Sequence, residues 1–108
     1  MIVDTGQLVH RVDQLTDHVG HWSPSRWKQA SALGDRSRAD VVHALVQQLA
    51  DLEAELTGRP TRAVPRLDND LALPDQVRVM ALDLLAAHAG PDALGTAVNL
   101  VTQARRQL

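Results

Sequence analysis

The stretch from Ser37 to Gly58 constrains this chain more than any other. Val41, Val42, Leu45, Val46, Leu49, Leu52 and Leu56 recur at three- and four-residue spacing. At about 100° per residue they fall within roughly 140° of arc. Asp40, Ala44, Gln47 and Asp51 face away. The pattern predicts a surface helix with one packed face, opened by a Ser37 cap and closed by Gly58. Its apolar face must be covered by the rest of the chain.

The covering elements read as helices too. Leu8, Val9, Val12, Leu15 and Val19 form one stripe of a segment that starts at Asp4 or Thr5 and ends before Gly20. Ser23-Pro24 offers a cap and a first-turn proline, so a short helix through Trp27 to about Ala32 is expected before Gly34-Asp35 breaks it. Pro74 opens a third long helix that ends near Ala89-Gly90. Pro91-Asp92 at once opens a fourth, to about Gln107, with Leu94, Ala97, Val98, Val101, Ala104 and Leu108 inward. The Gly90-Pro91 junction predicts a tight antiparallel hairpin of these two. Arg105 and Arg106 stand where cations favour a helix C-terminus.

Residues 59–73 are the least regular, with Pro60, Pro65 and the polar run Asp68-Asn69-Asp70. Connections in helix bundles usually run about 2–8 residues, so this one predicts a crossover and the best place for a functional loop. No strand-like alternation or repeat is present. The reading is an all-α, antiparallel four-helix bundle in one domain over 1–108, with a short extra helix near 24–32 and a long crossover near 59–73.

Composition narrows the chemistry. With no Phe, Tyr or Cys and only two Trp in 108 residues, Leu, Val and Ala must fill the core. A chain of this length buries roughly 65% of its unfolded surface, so no cofactor or metal is needed for folding. The absence of Cys excludes disulfides, thiolate metal sites and cysteine nucleophiles. A formal charge of −2 argues against a dedicated nucleic-acid binder. Ten of the eleven basic residues are Arg, a bias that fits a high-GC bacterial genome. Met1-Ile2-Val3-Asp4 carries no signal-peptide pattern, and no apolar run approaches the roughly 18 residues of a membrane span. A cytoplasmic location is the expectation.

The third long helix has more than one apolar face. Val77, Ala81, Leu84 and Leu85 make the expected stripe, while Val79, Leu82 and Ala86 make a second, roughly 120–180° around the wheel. Met80 and Ala87 widen it. A corner helix of a four-helix bundle has no use for two buried faces. Either the chain's own loops cover the second one, or another chain does.

Catalytic constellations are missing. The histidines lack H-E-x-x-H or E-x-x-H spacing. His10, Asp13 and Asp17 share a polar helix face, and His18 and His21 are separated by a helix-ending Gly20. His88 projects onto the inner stripe of the third long helix, and Glu53 falls inside the apolar arc between Leu49 and Leu56. Together with His43, these two are the candidates for a metal or acid–base site. Trp22 and Trp27, flanking Ser23-Pro24, suit anchors of a loop against the core or a partner. Arg59, Arg62 and Arg66 form one basic stretch and Arg26, Lys28, Arg36 and Arg38 another. They flank opposite ends of the Ser37–Gly58 helix, so they join into one anion or acidic-partner patch only if the crossover folds back. Asp68-Asn69-Asp70 lacks the glycine and glutamate of a calcium loop and reads as turn chemistry.

The segment Ser37-Arg38-Ala39-Asp40-Val41-Val42-His43-Ala44-Leu45, with the two Trp upstream, resembles the DinB-like and mycothiol-dependent isomerase bundles. That resemblance implies a four-helix bundle with a metal-binding histidine opening its second helix. The register differs. The family's histidine falls at Ala44, whereas His43 is one residue earlier, a rotation of about 100°. The last helix has no histidines to complete the metal triad, and the chain is not assigned to the family.

The expectation for function is a non-enzymatic helical protein that associates with itself or another protein through Val79, Met80, Leu82 and Ala86, with no cofactor, nucleic acid or membrane. The alternative is a small-ligand or metal-binding bundle using His43, His88 and Glu53.

Overall fold

The computed structural model describes residues 4–32 and 34–108, so the opening Met1-Ile2-Val3 lies outside the described residues. Five α-helices appear in chain order: α1 (Thr5–Val19), α2 (Pro24–Trp27), α3 (Arg38–Thr57), α4 (Leu73–Ala86) and α5 (Pro91–Arg106). A 3-10 turn, Asp70–Ala72, leads into α4. No strand is present among the described residues, only an isolated bridge between Ala30 and Ser37.

Three of the ends, at the start of α1 and at both ends of α3, are set by the residues expected to set them. Asp4 caps α1, its carboxylate accepting the Gln7 N–H at 2.9 Å. Ser37 and Asp40 exchange bonds across the first turn of α3, Asp40 N–H to Ser37 Oγ at 3.0 Å and Ser37 N–H to Asp40 Oδ2 at 3.4 Å. Gly58, at φ 70°, closes α3 in the left-handed region. The short α2 stops after four residues at Trp27, earlier than Ala32. From there the chain instead bonds to distant partners, with Ala32 N–H on the Gln107 carbonyl at 2.7 Å.

One aliphatic core joins the four long helices, with Trp27 at its edge and fully buried. Each of α4 and α5 packs against both α1 and α3. The seams run in different directions. Arg78 of α4 reaches Asp13 and Thr16 of α1, while Leu82 and Leu85 lie beside Val9 and Leu8, an opposite-direction pairing. Along α3 and α4 the order is the same: Ala50 and Glu53 share a groove with Met80 and Asp83, and Thr57 with Ala86 and Ala87. The wholly antiparallel arrangement expected from the sequence is therefore corrected to a mixed one. The reason is the crossover, which retraces α3 before α4 begins. About 30 Å of helix requires about ten extended residues to retrace, and the segment between Gly58 and Asp70 supplies them.

Three further expectations change. α4 and α5 are joined by a short connection but share no packed seam, so the predicted hairpin does not form. His88 is exposed rather than inward, because α4 ends at Ala86 and the helical wheel no longer applies. His88 takes the left-handed conformation, φ 56°. Its N–H bonds to the Leu85 carbonyl at 3.1 Å and the Ala89 N–H to the Leu84 carbonyl at 3.3 Å. This closure usually uses glycine. At the far end of α3, Leu56 also leaves the packed arc and is 41% exposed.

A left-handed non-glycine residue costs roughly 1–2 kcal/mol of steric strain, partly offset in the variant by glycine's greater unfolded-state freedom. His88→Gly is expected to stabilise the fold by about 0.5–1 kcal/mol, raising the melting temperature by several degrees in a calorimetric scan. A fall of similar size would mean that the imidazole packs inward after all.

Candidate functional site

The crossover is fastened to α3 by one side chain. The Gln47 carboxamide accepts the Val64 N–H through Oε1 at 2.7 Å, and its Nε2 donates to the Arg62 carbonyl at 2.9 Å and to Asp51 Oδ1 at 2.8 Å. A primary amide can both donate to a backbone carbonyl and accept from a backbone N–H, which is what Gln47 does with Arg62 and Val64. Beside it, His43 Nε2 lies 3.2 Å from the Val64 carbonyl. Arg66 then reaches Asp40 at 2.9 Å and Asp70 at 3.5 Å. The Arg66 guanidinium, together with the Ser37 bonds, holds the Asp40 carboxyl below its usual range against the opposing effect of burial.

The crossover thus folds back, bringing Arg66 beside Arg36 in one shallow groove with Asp40 and His43. Arg59 and Arg62 stay near the other end of α3, lining a groove with Glu53 and Met80. Asp68-Asn69-Asp70 does turn chemistry: Asn69 Oδ1 accepts the Leu71 N–H at 3.0 Å.

The three metal or acid–base candidates are not gathered. His43 faces the crossover near the start of α3, half-buried Glu53 lies near its end, and His88 sits exposed in the α4–α5 connection. Among the described residues no group of three or more His, Cys, Asp or Glu side chains is placed to hold a metal ion.

Trp22 and Trp27 are 3% and 0% exposed, so their rings serve the interior. They pack edge to face at 5.0 Å between centroids. Trp22 also carries two guanidiniums, Arg26 at 5.2 Å and Arg38 at 5.0 Å from its ring centre, and meets the His18 ring at 5.6 Å. The ring faces, which attract cations, are used. Neither indole N–H has an acceptor among the described residues.

The second stripe of α4 divides. Met80 is half-buried beside the crossover. Val79 and Leu82 remain 51% and 58% exposed, with Ala86 also open. Val9 of α1, 44% exposed, lies beside Leu82. Between the two helices is an apolar dimple of about 50 Å³, floored by Leu8, Val12 and Ala81 and rimmed by the Arg78–Asp13 pair. The contribution of Val9 was hidden in the sequence, where it shares the inner stripe of α1. Only the crossing of α4 over α1 shows that it falls at the edge.

No protein-family model matches the chain, and neither the curated proteins nor the solved structures gave a match.

Gln47→Ala removes three hydrogen bonds and leaves the Val64 N–H and the Arg62 carbonyl to find water. A loss of about 1–3 kcal/mol is expected, with faster hydrogen exchange concentrated at residues 61–66. Exchange that speeds up evenly over all helices would show that Gln47 does not act as a local fastening.

Proposed function

We propose that this is a non-enzymatic helical protein that acts by association, and that a second copy of the chain docks on the α1/α4 face to make a cytoplasmic homodimer. The observation that carries the reading is the exposed pair Val79 and Leu82, one turn apart on α4, with Leu82 beside Val9 at the dimple. Leucine that stays more than half exposed while its helix is otherwise well packed gains free energy by leaving water, roughly 25 cal/mol for each Å² covered.

A two-fold arrangement suits these features. In a symmetric pair each copy presents the same patch, so Leu82 of one chain can enter the dimple of its partner while the reverse contact forms. The rim formed by Arg78 and Asp13 adds polar groups of both signs around an apolar centre, the usual anatomy of an interface. No helix of the described residues is long and apolar enough to cross a membrane, so this face is not read as a lipid-spanning one.

Light scattering coupled to size-exclusion chromatography, across a dilution series, tests the reading. The expected mass at high concentration is twice the 11.8 kDa of one chain. Leu82→Lys should return the protein to a monomer with stability changed by no more than about 0.5 kcal/mol, because the side chain is exposed in the single chain. A monomer at every concentration would overturn self-association and leave a heterologous partner for the same face.

A further inference from the structure

A second feature lies on the opposite flank of α1, where α1 and α5 enclose a groove of about 350 Å³. Arg11 and His18 come from α1, and Arg105 and Arg106 from the last turn of α5. Thr102 and Val101 complete the wall. Among the described residues, no carboxylate side chain lines this groove. Arg11 spends one N–H on the Gln14 side-chain Oε1 at 3.0 Å. Among the described residues, Arg11, Arg105 and Arg106 form no ion pair, in contrast with Arg66 and Arg78.

The concentration of positive charge extends behind the groove. Arg26 and Arg38 sit on Trp22, whose edge meets His18. Partial burial lowers the His18 pKa from its usual value, and the neighbouring groups that lower it further are Arg105 of α5, Arg26 of α2, the His21 imidazole and Arg38 of α3. In a chain with a formal charge of −2, this is a local excess, not an overall one. The favourable helix-end position of Arg105 and Arg106 accounts for two of these charges. It does not account for Arg11 on another helix facing the same space.

We infer that the α1/α5 groove is a binding site for a small phosphate-bearing ligand, held by Arg11, Arg105 and Arg106 with Thr102 as a further donor. Guanidinium groups match oxyanions with paired, charge-assisted hydrogen bonds, and three of them suit a dianion better than a carboxylate. The volume is at the lower end of small-molecule sites. A nucleic-acid strand fits less well, because both Trp rings are buried and offer no base-stacking platform.

The test is an NMR titration of the intact chain with inorganic phosphate and, separately, phenyl phosphate, chloride being adjusted to keep ionic strength constant. Saturable shifts confined to α1 and α5 are expected, with the His18 titration moving to higher pH because a bound dianion favours the imidazolium. The double variant Arg105→Gln/Arg106→Gln should weaken binding about tenfold or more, and Arg11→Gln alone should also weaken it. Arg59→Gln, which removes a charge elsewhere, should not. Tighter binding of phenyl phosphate, whose ring can lie on the methylene stems of the groove's arginines, assigns a phosphate ester, and equal binding assigns free phosphate. Shifts that never saturate, or an equal loss in Arg59→Gln, would overturn the site. Because the groove lies away from Val79 and Leu82, this outcome is independent of the oligomeric state.

Discussion

The hold of Gln47 on the crossover is the contact on which the later half of the molecule depends. By bonding to both backbone groups around Val64, it lays residues 59–66 along α3. Arg66 then lands on Asp40 at the start of that helix, and Asn69 and Asp70 turn the chain into α4. Because α4 begins beside the beginning of α3, the two run in the same direction. A short turn after Gly58 would have reversed α4 and presented a different face of it to α1.

The direction of α4 decides what becomes of its surplus apolar residues. One stripe, Val77, Ala81 and Leu84, enters the core. Met80 is turned toward the crossover, which partly covers it. Val79 and Leu82 are carried outward and stay more than half exposed, Leu82 beside Val9. The Arg78 clamp on Asp13 and Thr16 holds this edge in place and keeps α1 and α4 close enough to leave only a small dimple between them. The exposed patch is therefore a consequence of topology acting on a helix apolar on more than one side.

Charge is sorted by the same packing. Arg66 and Arg78 are each placed beside carboxylates from another part of the chain. Arg26 and Arg38 are drawn together by Trp22, whose ring faces accept cations that would otherwise repel each other. Arg11, Arg105 and Arg106 are left facing one groove that, among the described residues, no carboxylate side chain lines. An aliphatic core places few demands on where polar residues lie, so the remaining arginines take positions set by helix register together with the way the helices pack.

Local chemistry was readable directly from the residues. The caps at Asp4 and Ser37, the Gly58 terminator and the prolines at the starts of α2, α4 and α5 act over one turn of chain, as do the three-and-four spacings that define the inner stripes. The surplus apolar face of α4 was visible for the same reason. Reading by the helical wheel failed past and at helix ends: His88 lies beyond Ala86 and is exposed, and Leu56, near the end of α3, leaves the packed arc. It also failed for every property that requires two elements to be placed together. The direction of α4 relative to α3, the missing α4–α5 hairpin, the exposure of Val9 and the meeting of Arg11 with Arg105 and Arg106 involve residues tens of positions apart. The sequence by itself determined which segments are helical and which faces are apolar, since those follow from bonds and side-chain spacing within a few residues. The tertiary structure alone decided which faces stay open and which charges share a groove, because that depends on the path of the crossover, set by contacts between Gln47 and a distant stretch of backbone.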